Sequence, residues 1–262
     1  LELVRAIRLG ESLSGVRGIC FKEAGNVIRT PGRAPFNMDK MPPLPYHLVT
    51  VKDYIISPLR TEGPSLPIIT SRGCPSRCGY CYNQEFNHRL WKPASPQKVV
   101  RDMKYLADKF GVEGVFLLDD NFFVDIKRVE HIFHLLESEG LKLKIHNANC
   151  RIDYLARYDQ KFLETLRRGG VTQLFLGVES GSDEVLRRIK KEITVEKVLL
   201  VNQKLKASGI IPVYSFMAGF SFEGYKEVEQ TLALMARLVY ENTQAKLYKL
   251  SLYKPYHGTE IY

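Results

Sequence analysis

From residue 66 onward the chain alternates between short apolar runs and longer amphipathic stretches. Runs of apolar or β-branched residues are typical of strands covered on both faces, and six occur, at residues 66–70, 114–118, 141–146, 173–178, 210–216 and 246–253. Helical patterns fill the gaps between them, with Ser95 and Asp125 as predicted N-caps and Gly111 as a predicted helix end. Strands that alternate with helices predict a parallel sheet with right-handed crossovers. The periodicity alone fits an open β/α barrel and a doubly wound sheet equally well.

Three cysteines follow the first predicted strand, within the segment Ser-Arg-Gly-Cys-Pro-Ser-Arg-Cys-Gly-Tyr-Cys-Tyr-Asn at residues 71–83. Cys74, Cys78 and Cys81 are close enough in sequence to converge on one metal centre. A structural zinc site normally has four protein ligands, and His88 is the only nearby candidate for a fourth. Three ligands leave a position open for a substrate or cofactor. We therefore interpret the loop as the binding site of a catalytic iron–sulfur cluster, with a zinc site closed by His88, or three unrelated thiols, as the alternatives.

The cysteine loop resembles that of the radical S-adenosylmethionine (SAM) enzymes. The segments Arg72-Gly73-Cys74-Pro75 and Cys78-Gly79-Tyr80-Cys81 are similar in particular to the cobalamin-dependent branch of that family. The resemblance implies that Cys74, Cys78 and Cys81 hold a [4Fe–4S] cluster whose fourth iron binds the amino and carboxylate groups of SAM. It also implies that one electron, from a donor such as flavodoxin or ferredoxin, cleaves SAM to methionine and a 5′-deoxyadenosyl radical. The fold that it implies is a partial (β/α)6 TIM-like barrel of parallel strands.

Polar or glycine-rich residues follow each of the six predicted strands. The first strand leads into the cysteine loop, and the others lead into residues 119–121, 147–151, 177–181, 217–219 and 255–259. In parallel β/α folds, functional residues collect at the carboxyl ends of the strands. We therefore expect these segments to share one cavity.

The family resemblance assigns several of these residues to the polar groups of SAM. Asp119 and Asp120, in the place of the family's Gly-Gly-Glu element, are expected to accept hydrogen bonds from the ammonium group. Arg151 is suited to the carboxylate, since a guanidinium binds a carboxylate in bidentate fashion. An ion pair between Arg151 and Asp153 is the alternative. The departure from the usual Gly-Gly-Glu letters leaves the separate roles of the two aspartates open.

Four further residues are expected around the ribose and the adenine of SAM. Glu179 and Ser180 resemble the family's Glu-Ser-Gly element, and their two acceptors suit a ribose diol. Gly219 resembles the glycine that follows the fifth strand beside the adenine. Tyr80 resembles the aromatic residue that packs near the adenine, and a plain core tyrosine is its alternative interpretation.

The segment between residues 30 and 67 is rich in proline and glycine, which is typical of a linker. Met41-Pro42-Pro43-Leu44-Pro45 marks the predicted domain boundary, and Pro58 continues the linker. By resemblance, residues 1–45 are the carboxyl-terminal remnant of a cobalamin-binding domain with its linker, and residues 46–262 are the radical SAM core. Most of the first domain, and with it the cobalamin site, is then expected upstream of Leu1.

The formal net charge of +9 invites a nucleic-acid partner. The basic residues are spread along predicted helices with acidic residues between them, so that solvated helix faces account for most of the charge. Examples are Arg167, Arg168, Arg187, Arg188, Lys190 and Lys191. We therefore expect a small-molecule substrate rather than a nucleic acid.

The sequence contains neither an apolar run long enough to span a bilayer nor a signal-peptide pattern. Five cysteines, three of them clustered, argue against a disulfide framework and favour a reducing compartment. Cys20 and Cys150 are interpreted as buried small apolar residues. A cytoplasmic protein without a membrane partner is the expectation.

Three functions are consistent with these features. The leading hypothesis is a radical SAM enzyme of the cobalamin-dependent branch that methylates or rearranges an unactivated substrate, methyl transfer requiring the upstream domain. The second is a radical SAM methylthiotransferase that acts on transfer RNA. The third is a zinc-stabilised RNA-binding domain without catalytic activity.

Overall fold

A computed structural model describes residues 1–55 and 63–262. Pro58 of the predicted linker lies outside these described residues. The described chain divides into two compact units, Leu1–Asn37 and Met38–Tyr262. That residues 1–45 belong to a cobalamin-binding domain stays a prediction.

The first unit contains one helix and one hairpin. Helix α1 spans Glu2–Leu9, and strands β1 (Cys20–Glu23) and β2 (Asn26–Arg29) pair in antiparallel fashion. A 3₁₀ turn at Leu13–Gly15 precedes the hairpin. The thiol of Cys20 is exposed, so the interpretation of Cys20 as a buried apolar residue was wrong.

The second unit alternates strands with helices. Its strands are β3 Ser65–Ile68, β4 Ser71–Arg72, β5 Lys92–Pro93, β6 Gly114–Leu117, β7 Lys144–His146, β8 Ala148–Cys150, β9 Gln173–Glu179, β10 Ile211–Ala218 and β11 Lys246–Leu252. Its α-helices are α2 Asn83–Asn87, α3 Pro96–Phe110, α4 Ile126–Ser138, α5 Ile152–Arg157, α6 Gln160–Arg168, α7 Asp183–Arg188, α8 Val195–Ser208 and α9 Tyr225–Glu241. Single 3₁₀ turns lie at Met38–Lys40, Tyr46–Leu48, Val51–Tyr54 and Phe122–Val124.

The main strands pair in chain order, and every one of these pairings is parallel. Strand β6 lies between β3 and β7, while β9 lies between β8 and β10, and β11 pairs with β10 at the edge. Asn147, whose φ is +57°, separates β7 from β8, and an isolated parallel bridge between Ile145 and Val171 continues the pairing beside this interruption. If β7 and β8 are counted as one position, six strand positions therefore follow one another in chain order, as a β/α barrel requires.

The core lies between the strands and the helices that cover them. Leu174, Leu176 and Val178 alternate along β9 and are fully buried. Among the described residues, no helix combines the length and the apolar character that crossing a membrane requires.

Gly181 lies just beyond β9, and a Cβ atom there would stand 2.3 Å from the backbone oxygen of Gln230 in α9. Helix α9 therefore packs directly on the backbone that leaves β9.

Helices α3 and α4 each begin at a side-chain cap that the sequence predicts. Ser95 accepts a hydrogen bond from the backbone N–H of Lys98, and Asp125 accepts one from that of Arg128. Such caps satisfy amides that have no partner inside the helix. Helix α3 then ends at Gly111 with a φ of +65°, as the sequence pattern predicted.

Candidate metal centre and cofactor site

The three clustered cysteines lie on one closed lobe at the carboxyl end of β3. The short strands β4 and β5 pair in antiparallel fashion, Ser71 with Pro93 and Arg72 with Lys92, and this pairing joins the two ends of the lobe. Between them, Cys78 is buried, Cys74 and Cys81 are partly exposed, and all three thiols are free. Residues 73–91 therefore hold the cysteines on one short segment of chain.

Gly73 opens this lobe in a conformation that other residues adopt only with strain. Its φ is +88°, and a Cβ atom would stand 1.9 Å from the backbone oxygen of Leu90 on the returning chain. Its N–H donates a 2.6 Å hydrogen bond to Oδ2 of Asp120. The position of Gly73 therefore fixes the loop both to its own far end and to the end of β6.

We expect Gly73→Ala to lower the free energy of unfolding by about 3 kcal/mol, the sum of left-handed backbone strain and overpacking, each roughly 1–3 kcal/mol. In a unit of this size, such a loss lowers the unfolding midpoint by roughly 6–12 °C. Gly111→Ala is the matched control, because Gly111 has a φ of +65° with no atom within 4 Å of a Cβ. The control is expected to cost only about 1 kcal/mol. Equal losses in thermal denaturation would contradict the close approach at Leu90.

Asp119 joins the end of β6 to the end of β3. It is fully buried, and its carboxylate accepts hydrogen bonds of 2.6 Å from the N–H of Thr70, the hydroxyl of Thr70 and the hydroxyl of Ser71. Its backbone oxygen accepts a 2.7 Å bond from the amide of Asn149. Burial raises the pKa of Asp119, and these hydrogen bonds oppose that shift. The carboxylate of Asp119, one of the two acceptors predicted for the SAM ammonium, is thus already hydrogen-bonded within the chain.

Arg128 of α4 stabilises the same junction and was not singled out from the sequence. Its guanidinium donates to the backbone oxygens of Thr70 at 2.9 Å and Ala94 at 2.8 Å, and it lies over the rings of Trp91 and Phe122. Nothing in the sequence separates it from other helical arginines. The cysteine lobe is therefore joined at its base to a buried cation.

Arg151 reaches the cysteine loop from the end of β8. Its Nη1 lies 3.1 Å from Sγ of Cys78, its Nε donates to Asp153 at 2.7 Å, and its Nη2 donates to the backbone oxygen of Lys191 at 2.7 Å. Burial alone would lower the pKa of Arg151. The neighbouring Cys78 and Asp153 groups outweigh that effect, so the pKa of Arg151 is raised. The ion pair with Asp153, one of the two roles considered for Arg151, is present in the structure.

Glu179, Tyr80 and Lys191 form a buried polar group beside the cysteines. Oε1 of Glu179 accepts hydrogen bonds from the hydroxyl of Tyr80 at 2.9 Å and from Nζ of Lys191 at 2.7 Å. Glu179 has a φ of +73°, and the two neighbours of Lys191, Lys190 and Glu192, have φ values of 54° and 61°. Strained backbone of this kind persists where the surrounding structure enforces it, as at binding sites.

The interpretation of Lys191 as part of a solvated helix face was wrong. Helix α7 ends at Arg188, and the Lys191 side chain is only 7% exposed while that of Lys190 is 52% exposed. The two lysines are adjacent and identical in type, so no sequence signal distinguishes the buried one. Lys191 is the principal site residue that sequence reasoning missed.

The remaining predicted residues lie close by. Ser180 is fully buried, and its hydroxyl lies 3.2 Å from that of Thr231 and accepts the N–H of Ser182 at 3.1 Å. Gly219 has a φ of +89° and donates its N–H to Glu223 at 2.5 Å. Next to it, Phe220 contacts Tyr80, with ring centroids 6.4 Å apart, and stacks on Phe222 and Tyr253.

The structure brings together side chains from several strand ends, as predicted. Arg151 contacts Cys78, Asp120 contacts the cysteine lobe, Tyr80 contacts Glu179, and the amide of Asn121 lies 3.9 Å from Sγ of Cys74. The recorded bonds of Ser180 and Gly219 are to neighbours in the chain and in α9 instead. That these residues bind SAM stays a prediction.

The donor set of the lobe fits an iron–sulfur cluster. Burial and the nearby Cys78 and Cys74 thiols raise the pKa of the Cys81 thiol, so three thiolates at this place require a compensating cation. Within residues 1–55 and 63–262, no group of three or more His, Cys, Asp or Glu side chains is placed so that it could hold a single metal ion. In a four-iron cluster the three thiolates would bind three different irons.

Residues 68–235 match the model of the Radical SAM superfamily, which is more than half of the chain. The chain belongs to the radical SAM superfamily. The predicted membership of the radical SAM enzymes is thereby confirmed, and the cofactors of the family are a [4Fe–4S] cluster and SAM.

Known proteins resemble this radical SAM chain over most of its length. An uncharacterised methyltransferase of Pyrococcus horikoshii is 29% identical over 263 residues, which are 100% of the chain and 54% of the relative. An anaerobic magnesium-protoporphyrin IX monomethyl ester cyclase of Rubrivivax gelatinosus is 27% identical over 88% of this chain and 41% of the relative. A tRNA-2-methylthio-N(6)-dimethylallyladenosine synthase of Anoxybacillus flavithermus is 25% identical over 71% of this chain and 36% of the relative. The chain therefore spans about half or less of the length of these relatives.

Solved structures share the fold. The cobalamin-dependent SAM radical enzyme OxsB with aqua-cobalamin bound has a TM-score of 0.78 at 18% identity, over 99% of this chain and 42% of that one. The radical SAM methyltransferase TsrM of Kitasatospora setae, with tryptophan and a SAM analogue bound, has a TM-score of 0.73 at 18% identity, over 94% and 48%. The predicted partial barrel of parallel strands is confirmed.

Proposed function

We propose that this chain is the core of an enzyme that reductively cleaves SAM at a [4Fe–4S] cluster. The observation that carries the proposal is the closed lobe with Cys74, Cys78 and Cys81, placed at the strand ends beside Arg151 and Glu179. The whole protein is proposed to use the resulting radical, with cobalamin, to methylate or rearrange an unactivated small-molecule substrate.

The cysteine lobe would hold the cluster, which when bound supplies the electron that splits SAM into methionine and a 5′-deoxyadenosyl radical. Glu179 offers an acceptor to the ribose, and the ammonium of Lys191 can bind the SAM carboxylate. Asp120, exposed at the end of β6, is better placed than the fully buried Asp119 to accept from the SAM ammonium. The partly exposed ring of Tyr253, which stacks on the buried Phe220, offers an apolar surface for the adenine.

Support for cobalamin and methyl transfer comes from similar proteins. OxsB was solved with aqua-cobalamin, and TsrM and the Pyrococcus relative are named methyltransferases. The cyclase relative makes ring closure the second outcome considered. The methylthiotransferase alternative is weaker, because the relatives named for methylthio transfer are 24–27% identical over 71–79% of the chain, against 29% over 100% for the Pyrococcus relative. A flavodoxin or ferredoxin as electron donor, and a cytoplasmic location, are part of the same proposal.

The test is anaerobic reconstitution of the full-length protein with iron and sulfide, followed by incubation with SAM and dithionite. We expect about four irons per chain, as a [4Fe–4S] cluster requires, and formation of 5′-deoxyadenosine. Tightly bound zinc without iron would overturn the proposal. Hydroxocobalamin retained by the full-length protein supports the cobalamin assignment, and its absence removes cobalamin while leaving SAM cleavage standing.

A further inference from the structure

We propose that Arg151 sets the reduction potential of the cluster by donating a hydrogen bond to the sulfur of Cys78. The inference rests on the proposed function, because it requires a cluster on Cys78. It gives Arg151 a role different from the SAM carboxylate contact that the sequence had indicated.

The contact between Arg151 and Cys78 is direct and enclosed. Nη1 lies 3.1 Å from Sγ, the Arg151 side chain is 8% exposed, and the Cys78 residue is 6% exposed. Arg151 is also held by the carboxylate of Asp153 and the backbone oxygen of Lys191, each at 2.7 Å, and by an ion pair with Glu192 at 3.7 Å. The guanidinium is therefore fixed against the sulfur by groups that are not themselves cluster ligands.

The three cysteines differ in this respect. Within the described chain, Arg151 is the only cationic side chain whose recorded hydrogen bond reaches one of the three sulfurs. The sulfur of Cys74 has two neutral neighbours, the hydroxyl of Ser76 at 3.4 Å and the amide of Asn121 at 3.9 Å. Among the polar contacts of the described residues to the lobe sulfurs, the charge-assisted bond to Cys78 is therefore the strongest.

Reduction adds one electron, and thus one negative charge, to the cluster. Hydrogen bonds to the sulfurs and nearby positive charge stabilise the reduced form, and these are the terms that set cluster potentials. An arginine remains cationic at any working pH, and burial reduces the screening of its charge by water. Arg151 is therefore expected to raise the potential and to ease reduction by the electron donor.

The guanidinium also has little freedom to serve SAM. Three of its five N–H groups already donate, to Asp153, Cys78 and the backbone of Lys191, and Nη2 also forms an ion pair with Glu192 at 3.7 Å. Bidentate binding of a carboxylate needs two parallel N–H groups directed outward together. The positions of these partners assign Arg151 to the cluster ligand and leave Lys191 as the cation proposed for the SAM carboxylate.

The test is a redox titration of the reconstituted full-length protein with dithionite, followed by the electron paramagnetic resonance signal of the reduced cluster without SAM. In Arg151→Gln we expect the ratio of reduced to oxidised cluster at a fixed ambient potential to fall about tenfold, a shift of about 59 mV for one electron. Arg157→Gln is the matched control. It removes an exposed arginine at the other end of α5 and is expected to leave the potential unchanged.

A second measurement uses the wild-type protein, so that poor folding of a variant cannot decide the result. Labelling only the guanidinium nitrogens of arginine with ¹⁵N should give a weak ¹⁵N hyperfine coupling to the reduced cluster through the Nη1–H···Sγ bond. An unchanged potential in cluster-loaded Arg151→Gln, or no arginine coupling in the wild type, overturns the inference. Loss of SAM binding with an unchanged potential assigns Arg151 to the carboxylate instead. Failure of the wild type to assemble any cluster refutes the proposed function rather than this inference.

Discussion

Cys78→Ala is expected to reduce the iron content of the reconstituted protein from about four atoms per chain to near zero and to abolish formation of 5′-deoxyadenosine. Two thiolates remain on the lobe, which is one fewer than the three-cysteine site needs. The substitution also removes the acceptor that lies 3.1 Å from Nη1 of the buried Arg151. A buried donor left without a partner costs about 1–3 kcal/mol, so the iron-free variant should also unfold more readily than the iron-free wild type.

Cys150→Ala is the control for this substitution. Cys150 is also a free and buried cysteine, 5% exposed, but it lies at the end of β8 and outside the lobe. We expect Cys150→Ala to retain its iron and its SAM cleavage. Retention of about four irons by Cys78→Ala, or loss of iron from both variants alike, would contradict the assignment of the cluster to the lobe. Iron analysis and product quantification after anaerobic reconstitution distinguish these outcomes.

Much of the fold could be predicted because its signals are local. The strand predicted at 173–178 is β9, Gln173–Glu179, and the helix predicted to begin at Ser95 and to end at Gly111 is α3. Apolar runs, capping side chains and terminal glycines act within a few residues of the chain. Helix α5 was missed, since its six residues follow Cys150 almost at once and Arg151, at its start, makes no side-chain cap.

The placement of the site could also be predicted in outline, since the carboxyl ends of parallel strands meet at one edge. What individual residues do there could not. Asp119 was expected to offer an acceptor to the SAM ammonium, and the sequence did not indicate that its carboxylate also accepts from Thr70 and Ser71. Such bonds link residues almost 50 positions apart, and no local pattern encodes them. The same holds at position 73, where the backbone oxygen of Leu90 on the returning chain leaves no room for a Cβ atom and so requires glycine.

The clearest case is Lys191, and its removal is expected to have the largest effect on stability. Lys191→Met leaves the carboxylate of Glu179 without its cation. The side chain of Lys191 is 7% exposed and that of Glu179 is 9% exposed, so water cannot replace the lost partner. Removing one partner of a buried ion pair costs about 3–5 kcal/mol. In a unit of this size, we expect the unfolding midpoint to fall by roughly 6–20 °C. Lys190→Met is the control and should cost less than about 0.5 kcal/mol, since Lys190 pairs with Glu260 in an exposed contact.

A double variant separates the lost charge pair from the lost packing. Glu179→Gln with Lys191→Met removes both charges, and replacing a buried pair as a whole is often nearly neutral. We expect the double variant to recover most of the stability that Lys191→Met loses, giving a coupling free energy of about 2–3 kcal/mol in the cycle. Additive losses in chemical denaturation would contradict a coupled buried pair.

The same double variant tests the binding role without the confusion of misfolding. Glu179 and Lys191 meet at a strained strand end, where Gly177 leaves the room they need, since a Cβ at that glycine would stand 2.4 Å from Oε1 of Glu179. A pair that served stability alone would not need such strain. We therefore expect the stable double variant to keep its iron but to bind SAM at least about tenfold more weakly, a loss of about 1.4 kcal/mol, in equilibrium dialysis. Unchanged SAM affinity in a stable, iron-loaded double variant would reduce the pair to a structural element and place the SAM carboxylate elsewhere in the cavity.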